Sequence, residues 1–208
     1  MTISFIFFIL LFCGDKNRRT DIAFKILQTE AHLTRENFTL ELAVELTNST
    51  NHNFILYGFK RIMYPFMDDS TLCAQRPGAG NAIFITDSLG NRMPQEFTLD
   101  IAGDYHYQAV TEETLLNVFA KIRTEYLHGK VMLQAKERKR VILKVDGTLH
   151  EPIEQLPPGK YLMYFVFYSG NDLKKIVDDT VMEADIKKHD AKVFDGWVKS
   201  NTITLRVD

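Results

Sequence analysis

The side chains that could carry chemistry are spread along the chain without a local pattern. Six histidines, His32, His52, His106, His128, His150 and His189, stand so that no two are two, three or four residues apart. Those are the spacings at which one strand or helix would hold a metal between imidazoles, which leaves only ligands that converge from distant strands. Asp104-Tyr105-His106 reads first as a polar loop; on a strand it would set a carboxylate and an imidazole on one side, as general acid–base work needs. Cys73 lies in the polar stretch 68–81 beside Gln75 and Arg76, where a cation could lower a thiol pKa. A nucleophile also needs an oriented base, and no sequence rule identifies one. Gly78-Ala79-Gly80 lacks the third Gly or the Lys of a phosphate loop, and the chain has no G-x-S-x-G, Walker, H-E-x-x-H, C-x-x-C or EF-hand pattern. No catalytic residue, metal or cofactor is therefore assigned.

The elements that must position any site come from a chain of 208 residues, 45% hydrophobic and 25% charged, which can bury a core; disorder and collagen-like repeats are excluded. With 25 basic and 27 acidic side chains the net charge is −2, so no global field draws the protein to nucleic acid. Between Phe38 and Leu46, alternation sets Phe38, Leu40, Leu42, Val44 and Leu46 on one face of a half-buried strand. Ile22/Phe24/Ile26, Phe54 to Phe59, Ala82 to Thr86, Phe97/Leu99/Ile101, Val131 to Leu133, Val141/Leu143/Val145 and Ile203/Leu205/Val207 add further strands. The unbroken apolar run Tyr161 to Tyr168 predicts a central strand wetted on neither face. Short strands without a βα repeat predict a mostly β antiparallel sandwich.

Nine of the ten residues from Ile3 to Phe12 are aliphatic or aromatic, and Cys13 then leads into the polar run 14–20. Ten helical residues reach about 15 Å, half of a hydrocarbon core, so the run fits the apolar region of a secretory signal better than a membrane span. Leu10-Leu11-Phe12-Cys13 resembles the lipidation and cleavage motif of bacterial lipoprotein precursors, in which a Leu stands three positions before the Cys. Phe12 departs from the small residue preferred there, and no Lys or Arg precedes the apolar run. The resemblance implies cleavage before Cys13, acylation of Cys13, and a protein held at the membrane of a bacterial cell envelope, periplasmic or surface-exposed. Its organisation would then be a signal peptide at 1–12, a polar tether at 13–20 and one enlarged sandwich domain at 21–208.

Leu156-Pro157-Pro158-Gly159-Lys160-Tyr161 predicts a type II turn with Pro158 and Gly159 at its centre, because Pro fixes φ and Gly accepts a positive φ. The same residues resemble the tyrosine corner of immunoglobulin-like sandwiches, whose Tyr hydroxyl bonds to backbone a few residues upstream. That resemblance implies that Pro158, Gly159 and Tyr161 are structural and that Tyr161 opens the penultimate strand. Met163 stands where antibody domains carry a disulfide Cys, so the likeness is to the broad superfold.

Thr111 to His128, acidic first and basic later with apolar residues near helical spacing, predicts one helix. Asn171 to Lys192, rich in both charges, predicts a solvated excursion with a short helix. Lys136 to Arg140, K-E-R-K-R, sits between two predicted strands and reads as turn and edge protection. Trp197 is expected in the core beside the last strand, with an exposed anchor as its alternative. Asn37 and Asn48 open glycosylation sequons, which carry meaning only on a eukaryotic export route.

Three function classes follow. The first is a membrane-anchored, non-enzymatic envelope lipoprotein, an immunoglobulin-like module binding a protein or glycan, with no nucleic acid. The second is an envelope hydrolase or metal-dependent enzyme assembling Cys73, Asp104, His106 and His189. The third is an inhibitor or chaperone-like sandwich acting through the 68–81 loop or an edge strand.

Overall fold

The computed structural model describes residues 21–34, 39–63, 79–93, 112–146, 156–170 and 173–208. They form a mostly-β, sandwich-like fold with short helical insertions, as the strand pattern predicts. One sheet is antiparallel in the order β1-β3-β8, with β1 at Ile22–Ile26, β3 at Thr39–Asn48 and β8 at Arg138–Asp146. The facing sheet has the order β2-β12-β9-β6-β5, from β2 (Glu30–Leu33), β12 (Ile203–Val207), β9 (Gly159–Ser169), β6 (Ala79–Thr86) and β5 (Ile62–Met63). Strand β11 (Gly196–Lys199) also pairs with β9. A third, small sheet runs β10-β4-β7, with β10 at Ala191–Val193, β4 at Asn53–Leu56 and β7 at Val131–Leu133. The long ladders are antiparallel, and three short pairs, β2 with β12, β4 with β10 and β5 with β6, are parallel additions.

The period-2 rule explains the core. Ile22, Phe24 and Ile26 of β1, Leu40 to Leu46 of β3 and Val141, Leu143 and Val145 of β8 turn inward to meet Met163, Phe165 and Phe167 of β9 and Ile203, Leu205 and Val207 of β12. Phe24, Phe59 and Phe167 link edge-to-face, with Phe59 5.3 Å from Phe24 and 5.1 Å from Phe167 between ring centroids. Strand β9 is central, as its apolar run predicts: β12 and then β11 occupy one edge and β6 the other. The expectation that it is wetted on neither face needs correction. Residues 165–169 are buried, whereas Leu162 is 40% exposed and Tyr164 is half-buried, because the outer face is covered only along the second half of the strand.

Two further corrections concern the same strand. Tyr161 does not open the penultimate strand, because the excursion after β9 returns to add β10 and β11 before β12, although β12 is β9's neighbour in the sheet. Nor does Gly159 take a positive φ as a type II turn requires; it is the first residue of β9, paired with Val207. The lack of a side chain there serves packing instead. The Tyr161 ring folds back over Gly159, so that a Cβ would lie 3.4 Å from the hydroxyl oxygen, and the hydroxyl donates to the Pro157 carbonyl at 2.7 Å.

The helices pack on the small sheet. Helix α1 (Glu112–His128), α2 (Leu173–Ile176) and α3 (Asp179–His189) fall where the sequence places one helix and a charged excursion. Alternation along β4 divides its residues between two cores. Phe54 and Leu56 join the sandwich, while Ile55, followed by Tyr57, faces Tyr126 of α1, Leu173 of α2 and Met182 of α3. Asp178 caps α3 by accepting from the Thr180 N–H at 2.9 Å, and it also meets Arg123 of α1 at 2.9 Å. Gly58 ends β4 with φ +67, where a Cβ would crowd the Ala79 carbonyl at 3.1 Å and the Tyr126 ring at 3.2 Å, so glycine is required on both counts.

Candidate functional site: a basic groove between two strand edges

Strands β7 and β8 follow one another through the turn at Gln134 to Glu137, yet each belongs to a different sheet and each is an edge strand of it. They diverge, and a groove of about 590 Å³ opens between them. Among the described residues its lining holds five cations, Lys60, Lys130, Lys139, Arg140 and Lys144, together with Val131, Met132, Val141 and Ile142, and no acidic side chain. The bases arrive from three places. Lys60 follows the Gly58 turn, Lys130 joins α1 to β7, and Lys139, Arg140 and Lys144 lie on β8.

Each cation is held differently. Lys139 donates to the outward-facing Met132 carbonyl at 2.7 Å, capping the β7 edge, and lies 3.9 Å from Glu137. Lys144 pairs with Glu41 at 2.7 Å across β3 and β8, and that carboxylate raises the lysine's pKa. Lys60 and Arg140 have no ion-pair partner among the described residues.

Lys130 marks the end of the groove that meets the helical layer. Its ammonium lies 2.5 Å from the Asp185 carboxylate of α3, which also accepts from the Tyr57 hydroxyl at 2.7 Å. Burial works to raise the Asp185 pKa, but the hydrogen bonds from Lys130 and Tyr57 and the nearby positive charges of Lys130 and His189 outweigh it and hold the carboxyl below the usual range. Tyr57 is fully buried; burial first, then its hydrogen bond to Asp185 and the charge there, raise its pKa. The network fixes Lys130 at the groove and leaves it no free role as a base.

The backbone adds a second kind of binding group. Leu27 N–H donates to the Ala43 carbonyl and Asn48 N–H to the Glu137 carbonyl, both at 2.9 Å. These two bonds fix the alternation: odd-numbered residues of β3 face β1 and even-numbered ones face β8. Lys139, Val141, Leu143 and Val145 therefore spend their amides and carbonyls on β3, and those of Arg140, Ile142 and Lys144 point outward, where no described residue bonds to them. The K-E-R-K-R segment is thus a turn, with Lys136 at φ 59 and Glu137, leading into a basic edge strand.

Cys13, Cys73, Asp104, His106, His150 and Asn37 lie outside the described residues, as do the strand expected at Phe97/Leu99/Ile101 and most of the 68–81 loop. The last three residues of the loop expected at 68–81 belong instead to β6, where Ala79 and Asn81 are fully buried. His189 ends α3, and its carbonyl accepts from the Asn53 side chain at 2.9 Å. His32 is exposed and pairs with Glu30 at 2.9 Å. Among the described residues no three His, Cys, Asp or Glu side chains converge as a metal site would require.

Trp197 is not in the core. It is 50% exposed, because the register of β11 on β9 turns Val198 inward and sends its neighbours out. Asn48 is the reverse case. It is 1% exposed, donates to the His52 and Gln134 carbonyls at 2.7 Å each and accepts from the Thr50 N–H at 2.9 Å, so it is a buried turn clamp and not a surface sequon. No described helix is long and apolar enough to cross a membrane. Compared with known proteins, the chain matches no family model, no curated protein and no solved structure.

Proposed function

We propose that this chain is a non-enzymatic binding module of a bacterial cell envelope, an immunoglobulin-like sandwich tethered through a lipidated Cys13, and that it captures an anionic partner. The single observation that supports the reading most is the groove between β7 and β8, where the described lining holds five cations and no acid, and where Lys60 and Arg140 have no ion-pair partner among the described residues. Clefts lined by one sign of charge concentrate the opposite charge, and the effect is screened by salt. Among the described residues that line it, charge and apolar surface are what the groove offers a ligand.

The test has two arms. Mass spectrometry of the native membrane fraction should find an acylated N-terminal Cys13 peptide; an unmodified peptide running from Met1 through Cys13 would remove the anchor. Titration of the purified protein with tripolyphosphate, hexaglutamate and a sulfated disaccharide should give saturable binding to at least one of them. That binding should weaken as salt rises and fall in a Lys60→Glu/Arg140→Glu variant. If none binds at about 50 mM salt, where the Debye length exceeds 10 Å, the groove has no ligand of this class.

A further inference from the structure

We infer that the groove receives an extended acidic segment of a partner protein, which adds to the outer edge of β8 as a new antiparallel strand. This inference rests on the anion-binding reading above and specifies the ligand for the same site. Two independent features converge on it. The first is the outward row of amides and carbonyls at Arg140, Ile142 and Lys144 to which no described residue bonds, a strand-length template that a single phosphate or sugar would leave unused. The second is the side-chain pattern on that row. Arg140 and Lys144 flank Ile142, which is 50% exposed, so the face reads basic–apolar–basic along the strand.

Cross-strand partners stand directly opposite and on the same face, and opposite charges there attract while like charges repel. The matching segment therefore carries an acid, an aliphatic residue and an acid at alternate positions. Lys60, without an ion-pair partner among the described residues, adds a further cation across the cleft. The same rule disfavours a second copy of this chain paired about Ile142, since that two-fold would set Arg140 against Lys144. The basic edge thus discourages self-association and selects an acidic strand by one and the same charge pattern.

The probe is a fluorescent heptapeptide, Thr-Glu-Thr-Val-Thr-Glu-Thr, titrated into the full mature chain and followed by anisotropy. Its control has the same sequence and charge but carries N-methyl groups on alternate amides along one edge, on each set of alternate positions in turn. Tripolyphosphate, measured in parallel, reports the groove's affinity for anions that cannot form a strand. We expect saturable 1:1 binding of the plain peptide and at least about tenfold weaker binding of one methylated form, a loss equivalent to about 1.4 kcal/mol. Ile142→Pro removes an outward N–H without touching the β3 ladder or any charge, and should weaken the plain peptide by a similar factor while leaving tripolyphosphate binding unchanged. Amide exchange at Ile142 should slow in the complex.

If plain and methylated peptides bind equally, strand addition is overturned and anion capture stands. Failure of the peptides beside retained tripolyphosphate binding overturns the inference in the same way. When neither the peptide nor tripolyphosphate, hexaglutamate or the sulfated disaccharide binds, both readings fall. The methylated-peptide comparison holds even if Ile142→Pro does not fold.

Discussion

Asp185 joins three layers of the molecule, and removing its carboxylate gives a perturbation whose size can be worked out. The Asp185→Ala substitution leaves the Tyr57 hydroxyl, in a fully buried residue, without its acceptor, which costs about 1–3 kcal/mol. Lys130 loses its partner too, but its side chain is 29% exposed and can turn into water, so its share is about 0.5–1 kcal/mol. Alanine's better helix propensity returns about 0.5 kcal/mol in α3. The net loss is about 1–3.5 kcal/mol, a fall in Tm of about 2–14 °C for a domain of this size. Tyr57→Phe removes the orphaned hydroxyl in advance, so in that background Asp185→Ala should cost at most about 0.5 kcal/mol, with coupling of about 1–3 kcal/mol between the two sites. Urea unfolding of the four proteins of the cycle, read by circular dichroism and by Trp197 fluorescence, measures both numbers. The sign of the pH dependence follows from the depressed Asp185 pKa: its stabilisation is present above the unfolded carboxyl value near pH 4 and is lost as pH falls through the lower folded value. The difference between wild type and Asp185→Ala should therefore shrink as pH falls below about 4. A cycle with coupling below about 0.5 kcal/mol would show that this contact does not hold α3 to the small sheet.

On the alkaline side the sign reverses. Tyr57 has a raised folded pKa, so its contribution is present below the unfolded tyrosine value near pH 10 and lost as pH rises beyond it; Tyr57→Phe should flatten that limb, and an unchanged slope would place the loss elsewhere. Tyr161→Phe removes the bond to the Pro157 carbonyl and should cost about 0.5–1.5 kcal/mol in urea unfolding, whereas a loss below about 0.3 would mean that the ring alone holds the corner. Trp197, the single tryptophan, should emit as a half-exposed indole and be quenched by acrylamide in the folded state; a blue-shifted, protected emission would contradict its outward register on β9.

What could be read from the sequence divides along a physical line. Strands β1, β3, β8 and β12 each bury one face, so strict alternation marks them, and β9 stands out because most of it is buried on both faces. Strands β10 and β11 offer too few residues for a period to show, and the placement of Trp197 turned on a one-residue question of register that only pairing with β9 decides. Gly159 was misassigned because Pro-Gly satisfies a turn rule locally, while the demand for a missing Cβ comes from the ring two residues on.

The groove was hidden for a different reason. K-E-R-K-R is visible as charge, and reading it as edge protection is sound for a strand in isolation. Its neighbours Lys60 and Lys130 come from segments far apart in sequence, and the cleft between them exists only because β7 and β8, joined by a short turn, part into different sheets. The turn shows why they part. Asn48 binds the Gln134 carbonyl while Lys139 caps the Met132 carbonyl, so the groups that could have closed a β7–β8 hairpin are already engaged. One signal did survive in the sequence. Asp185 stands three residues after Met182, on the buried side of a helix whose remaining surface is largely charged, and a carboxylate on that stripe must find a donor. Its donors are Tyr57 and Lys130, and the second is a wall of the groove, so the force that docks α3 also fixes one cation of the cleft. Stability and recognition meet at that ammonium. Loosening α3 should therefore weaken anion binding even with every groove residue intact.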